Sequence, residues 1–316
     1  MLTNTRIFVV NPPDNTVLFL MGPTASGKTD LAIKISQKIK SRLISVDSAL
    51  IYQGMDIGTA KPSKKTLNTH PHHLIDICKP SEAYSAHDFV TDATQQIELA
   101  FRNNELPILV GGTSFYFNAI EHGLSDLPES TPESREKYNQ LLKEQGSKAL
   151  HQTLQKIDPV AANRIHAHDS QRITRALEVF DISGQTLTTL QGKKQGGLNC
   201  IINKIILMPD RSELHQRIET RFHLMMEQGF IEEVKALKAN TKLHQDLPSI
   251  RCVGYRQAWQ FLNQEIDEAE MIERSIIATR QLCKRQSTWL KNETQGLTLK
   301  TADLEKSLNF IQEQHV

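Results

Sequence analysis

Gly22-Pro23-Thr24-Ala25-Ser26-Gly27-Lys28-Thr29 has the spacing G-x-x-x-x-G-K-[ST] and lies between the apolar run Val17 to Met21 and a helical pattern opening near Gly27. That strand-to-helix setting is the one in which such a loop holds phosphate. The glycines let successive N–H groups turn inward around phosphate oxygens, Lys28 supplies a point charge, and the Thr29 hydroxyl can hold Mg²⁺. The loop is therefore expected to bind the phosphates of a small molecule.

Working outward, further short apolar runs at Leu43 to Val46, His73 to Ile77, Leu106 to Val110 and Lys204 to Met208 read as buried parallel strands. Helical patterns separate them, one opening at Ser85 with Asp88 at capping-box spacing. Alternating strand and helix predict an α/β fold, a P-loop NTPase-like doubly wound parallel sheet whose ligands bind beyond the carboxyl ends of the strands. Between the fourth and fifth runs, about 80 residues from Glu121 to Cys200 show no convincing strand, too long a stretch for a crossover. Helical stretches at 133–145, 147–157 and 170–182, with Asp158-Pro159 and Asp169 as starts and Gly184 as a stop, predict an inserted all-helical domain. After Met208 the pattern is almost entirely helical, with an Asp210/Glu213 capping box and long patterns over 211–239 and 267–290. The expected division is 1–120 for the first part of the core, 121–200 for the insertion, and 201–316 for core completion and a helical C-terminal region.

Composition narrows the function. The 316 residues carry 37 Lys and Arg against 36 Asp and Glu, a net charge of +1, so no global field drives the chain onto nucleic acid or a membrane, and any basic site must be local. A hydrophobic fraction of 39% and a charged fraction of 23% belong to a globular protein. No stretch reaches the roughly 18 apolar residues needed to span a bilayer. Cys78, Cys200, Cys252 and Cys283 are scattered and form no CxxC pair, so reduced thiols and a cytoplasmic location are expected.

Candidate site residues follow from their positions. Asp47 closes the second strand on the edge that carries the phosphate loop, where it could act as a general base, partner Mg²⁺, or cap the next turn. The fourth strand ends in Gly111-Gly112-Thr113 and lacks the aspartate with which many P-loop NTPases hold Mg²⁺. Arg217 and Arg221 share a helix face, suited either to an anion between them or to a solvated face with Glu213 paired to Arg217. Five Lys or Arg and no acid from Arg274 to Lys291 could follow an RNA backbone or form a solvated face. The His70, His72, His73 and His166, His168 groups lack a full set of metal ligands.

The phosphate loop, Asp47-Ser48-Ala49-Leu50 with Tyr52, and Asp56-Ile57-Gly58-Thr59-Ala60-Lys61-Pro62 together resemble the tRNA dimethylallyltransferase family. The resemblance continues through Gly111-Gly112-Thr113, Gln171-Arg172-Ile173-Thr174-Arg175, Arg251-Cys252-Val253-Gly254-Tyr255-Arg256 and Lys284-Arg285-Gln286-Ser287-Thr288-Trp289, covering about residues 17 to 291. It implies transfer of a dimethylallyl group from dimethylallyl diphosphate to N6 of the adenosine 3′ of the anticodon in tRNAs reading codons that begin with U. It implies Asp47 as general base, with Lys28, Arg217 and Arg221 on the diphosphate held by Gly22 to Thr29, and Mg²⁺ on Thr29. It also implies an anticodon stem-loop held by Asp47 to Leu50, Thr113, Arg135, Gln171 to Arg175 and Arg251 to Arg256, with the insertion as a clamp. The chain is expected to act as a monomer and to need no membrane. The alternatives are an adenylate isopentenyltransferase using a free nucleotide, a P-loop small-molecule kinase, and a non-enzymatic RNA-binding P-loop protein.

Overall fold

The computed structural model describes residues 15–192 and 194–314. In chain order the elements are β1 Thr16–Met21, α1 Lys28–Ser36, β2 Ser41–Val46, α2 Lys64–Thr69, β3 His72–His73, α3 Ala86–Arg102, β4 Leu106–Gly111, α4 Ser114–His122, β5 Leu124–Ser125, α5 Pro132–Ile157, α6 Pro159–Arg164, α7 Ser170–Ser183, α8 Leu187–Gln191, β6 Lys194–Gln195, β7 Ile201–Leu207, α9 Arg211–Glu227, α10 Phe230–Lys238, α11 Tyr255–Leu262, α12 Glu268–Leu290, β8 Leu297–Leu299 and α13 Leu304–Glu313. Ala119–Leu198 forms one compact unit, and the described residues on either side of it form the other.

The larger unit is built on a parallel sheet of order β3-β2-β4-β1-β7-β8. β1 lies inside it, with Leu18 opposite Ile108 of β4 and Asn203 of β7. All six β1 residues are buried, because a parallel strand covered on both faces needs an unbroken apolar run where a half-exposed one would alternate. Leu18 and Leu20 pack with Leu31 and Ile35 of α1 and with Leu308 and Ile311 of α13. Phe19 points the other way, onto Phe117 of α4 with ring centroids 5.1 Å apart.

Three strand expectations need correction. The run His73 to Ile77 is strand only at His72–His73, because the chain turns through left-handed Leu74 and Asp76. It then pairs with the 50–53 loop, where Asp76 N–H donates to the Leu50 carbonyl and Cys78 N–H to the Ile51 carbonyl. The region after Met208 is almost entirely helical as expected, but it also holds an unexpected strand: β8 adds to the sheet edge beside β7. Gly296, at φ +107°, leads into it so close to β7 that a Cβ there would meet the Lys204 carbonyl oxygen at 2.3 Å. The inserted unit is not all-helical either, since β5 and β6 pair antiparallel at its two ends. Two-residue strands carry no periodicity to read.

The helix ends follow local chemistry. Ser85 and Asp88 form the expected capping box, Asp158 and Asp169 cap α6 and α7, and Gly184 ends α7 in the left-handed conformation. The Asp210/Glu213 box does not form. Asp210 accepts instead from Lys300 Nζ at 3.3 Å and Glu213 pairs with Arg217, so cations have taken both carboxylates. The 211–239 pattern breaks at Gly229 into α9 and α10, and α5 breaks at Gly146. The inserted unit has its own apolar core, with Tyr138, Leu154, Ile173 and Leu177 at its centre.

Candidate active site

The phosphate loop leaves β1 and winds into α1 through left-handed residues at Ala25 and Gly27. Gly27, at φ +89°, is the N-cap, a conformation that costs glycine least. Lys28, Thr29 and Asp30 head the helix, where N–H groups have no intrahelical acceptor and the helix dipole favours an anion. Lys28 Nζ donates to the Pro23 carbonyl at 3.3 Å, folding the ammonium over the loop.

Beside the loop lies a cavity of about 360 Å³. Its polar lining includes Thr24, Lys28, Asp47, Ser48, Thr113, Arg221 and Gln286; its apolar lining includes Ile218, Phe222, Met225, Leu282 and Val253. Asp47 reaches it from the end of β2. Oδ1 accepts from Ala49 N–H at 2.9 Å and Leu50 N–H at 3.4 Å, which fixes the turn and leaves Oδ2 for other work. Ser48 N–H donates to Thr113 Oγ1 at 3.2 Å, tying this turn to the one after β4.

The two arginines separate. Arg217 is engaged by Glu213 at 2.5 Å and by the Ala25 carbonyl at 3.2 Å, so it braces the loop from outside the cavity. Arg221 lines the cavity and donates from Nη2 to Thr24 Oγ1 at 2.7 Å. Burial of the ammonium, with Arg221 adding to it and Asp47 opposing, lowers the pKa of Lys28 to about 8. Burial also lowers that of Arg221, whose guanidinium stays charged. Cys252 is pushed up to about 12 by burial and by the Asp47 carboxylate, so its thiol keeps its proton.

Of the residues singled out in the sequence, the cavity gathers Thr24, Lys28, Asp47, Ser48, Ala49, Thr113, Arg221 and Arg251 to Tyr255. Leu50, Arg217 and Arg256 do not line it, and of the loop Gly22, Pro23, Ala25, Ser26, Gly27 and Thr29 do not either. Tyr255 is fully buried and donates its hydroxyl to Glu233 at 2.6 Å, so it shapes the wall from within. In the inserted unit, Gln171 and Arg172 are exposed at the N-terminal end of α7, and Arg135 is exposed on α5. Ile173 is fully buried and cannot touch a ligand; Arg175 is turned inward to the Pro128 carbonyl at 2.7 Å and to Glu178. Both support the surface. In the basic strip, Arg274 pairs with Glu270 and Arg280 with Glu219, while Lys284, Arg285 and Lys291 are exposed.

Sequence reasoning missed the cavity's apolar side and gave Gln286, quoted only within the stretch Lys284 to Trp289, no place in the site. A signal was present: Ile218, Arg221, Phe222 and Met225 recur at helical spacing on α9, so the face that carries Arg221 carries the apolar wall.

Residues 50–293 match the family model described as IPP transferase. The chain is 68% identical over 298 residues to the tRNA dimethylallyltransferase of Ruthia magnifica subsp. Calyptogena magnifica, covering 94% of this chain and 98% of that one. Among solved structures it resembles the full-length tRNA isopentenylpyrophosphate transferase of Bacillus halodurans, with a TM-score of 0.67, 34% identity and coverage of 96% and 94%. It also resembles a eukaryotic dimethylallyltransferase acting on tRNA, with a TM-score of 0.73, 26% identity and coverage of 95% and 77%. The chain belongs to the IPP transferase family.

Proposed function

We propose that this enzyme transfers a dimethylallyl group from dimethylallyl diphosphate to N6 of the adenosine 3′ of the anticodon, position 37, in tRNAs reading codons that begin with U, releasing diphosphate. The observation that carries this reading is the make-up of one cavity, whose lining combines Thr24 and Lys28 of the phosphate loop, Arg221, the Asp47 carboxylate and a set of apolar side chains. We read the sheet and its loop as a P-loop NTPase-like doubly wound core turned to a diphosphate leaving group. No nucleoside triphosphate need be split, in keeping with the Gly111-Gly112-Thr113 end of β4.

Each residue then has a task. The adenine amino group is a weak nucleophile because its lone pair is delocalised into the ring, so its proton must leave as the N–C bond forms. Asp47 accepts it on the oxygen not spent on the turn. As the allylic C–O bond breaks, charge gathers on the diphosphate, and Lys28, Arg221 and the amides at the head of α1 stabilise it in place. Arg217, held against the loop carbonyls, keeps the cradle in shape. The wall of Ile218, Phe222, Met225 and Leu282 takes the prenyl group and keeps water from the carbon that develops cation character.

Magnesium fits this site. No cluster of three or more acidic, His or Cys side chains occurs among the described residues, but Mg²⁺ commonly keeps several waters and takes one or two protein oxygens with substrate phosphates. The Thr29 hydroxyl at the head of α1, with diphosphate oxygens, would hold it, and its charge would add to the neutralisation of the leaving group.

The target base must leave the anticodon-loop stack to reach Asp47, as bases do for enzymes that act on them. Ser48 to Leu50, Thr113, Arg251 to Val253 and Arg256 are the RNA-facing positions on the larger unit, with Gly254 and Tyr255 buried behind them; Arg135, Gln171, Arg172 and Thr174 are those on the inserted unit. We take the enzyme to act as a monomer. Among the described residues no helix is long and apolar enough to cross a membrane, and we place the reaction in the cytoplasm.

The test is transfer of labelled dimethylallyl from its diphosphate, with Mg²⁺, to an unmodified anticodon stem-loop and in parallel to AMP. Label on the stem-loop alone is expected. Label on AMP alone would make this a free-nucleotide prenyltransferase, and label on neither would overturn prenyl transfer.

A further inference from the structure

Gln286 has no task in the mechanism above, yet its carboxamide joins two loops at the rim of the cavity. On α12, Thr279, Leu282 and Gln286 follow one another at spacings of three and four and line the cavity together. Gln286 Oε1 accepts from Thr24 N–H at 2.9 Å, and Nε2 donates to the Gly112 carbonyl at 2.9 Å. A backbone N–H only donates and a carbonyl only accepts, so the carboxamide can sit only this way round. Its partners follow neighbouring strands, Thr24 after β1 and Gly112 after β4. The approach to Gly112 is close: a Cβ there would stand 2.5 Å from Nε2. Thr24 is thus gripped twice, at its amide by Gln286 and at its hydroxyl by Arg221.

We propose that Gln286 is a positioning residue for the diphosphate: it pins the phosphate loop to the turn after β4 and so fixes where Lys28, Arg221 and the loop amides meet the leaving group. The inference rests on reading this cavity as the diphosphate site. A neutral carboxamide suits the task, because it supplies one acceptor and one donor without setting a negative charge beside an anion. Glutamate in its ionised form would keep an acceptor for Thr24, lose the donor for Gly112 and repel the diphosphate. When protonated, it would restore one acceptor and one donor.

The experiment measures binding of inorganic pyrophosphate with Mg²⁺ by calorimetry, alongside KM for dimethylallyl diphosphate and for the stem-loop. Gln286→Leu is expected to weaken pyrophosphate binding by about tenfold and raise the KM for dimethylallyl diphosphate in parallel, as a misplaced cradle costs affinity, while the stem-loop KM stays within about twofold. Gly112→Ala, which drives a Cβ against the same carboxamide, is expected to do likewise. For Gln286→Glu, the affinity relative to the native protein at each pH is expected to recover as pH falls and the glutamate takes up a proton. A lower melting temperature with unchanged pyrophosphate affinity, or a Gln286→Glu pH profile parallel to that of the native protein, would overturn the proposal. Failure of the native protein itself to bind pyrophosphate would remove the diphosphate reading, and this inference with it.

Discussion

Asp47 holds a turn with one oxygen, and in the proposed reaction the other takes the proton, so a substitution must separate the two tasks. Asparagine can keep an oxygen for the Ala49 amide and cannot accept the proton. Asp47→Asn is therefore expected to bind the stem-loop as the native enzyme does and to lose prenyl transfer by about 10² or more in single-turnover assays. Native turnover in that variant would remove Asp47 from the chemistry. Lys28, if it meets the diphosphate as proposed, should set a pH dependence. With its pKa lowered to about 8, the ammonium is charged below that pH and neutral above it. Only the charged form attracts diphosphate, so kcat/KM for dimethylallyl diphosphate should fall as pH rises through about 8, and Lys28→Arg should extend the plateau upward. A native profile flat to about pH 10 would contradict the burial argument.

The loop 56–61 shows how an element without regular structure is made rigid. Glu233 of α10 accepts from the backbone N–H groups of Asp56, Ile57 and Gly58 at 2.8, 2.7 and 3.2 Å, and from the Tyr255 hydroxyl. Lys61 bridges Asp56 at 2.6 Å and Asp76 at 2.5 Å. Gly58 is pressed against Phe230 and Tyr255, where a Cβ would stand 2.3 and 2.7 Å from ring carbons. Gly58→Ala should therefore destabilise by about 1–3 kcal/mol, the usual range for overpacking, seen as a lower melting temperature. An unchanged melting temperature would mean the rings yield freely. None of this was legible in the chain. The sheet strands announced themselves because buried parallel strands are nearly continuous apolar runs, and the phosphate loop because its chemistry fixes its spacing. Glu233 and Gln286 act across 175 and 174 residues of sequence, on Gly58 and Gly112, and no local pattern reports an interaction of that range. The short strands β5, β6 and β8 escaped for a related reason, since their partners alone define them.

The proposed function divides labour between two units, and the charge balance makes that division testable. A net charge of +1 supplies no long-range attraction for RNA, so affinity must come from local cations. The cavity is lined wholly by the larger unit, whereas Arg135 and Arg172 stand exposed on the inserted unit. The Asp169 carboxylate beside Arg172 is 3.5 Å away with Arg172 largely exposed, a pair worth little in water and open to exchange for a phosphate. If these two arginines meet the RNA backbone, replacing both by alanine should raise the stem-loop KM and lower the salt dependence of binding by about one unit of log K per log[salt] for each phosphate left without its arginine. Pyrophosphate affinity should not change, because neither residue belongs to the cavity. Titrations of the stem-loop at several salt concentrations give the slope directly. A double variant with the native slope would deny the inserted unit its hold on RNA at these positions, and one that also failed to bind pyrophosphate would show that the two units do not act independently.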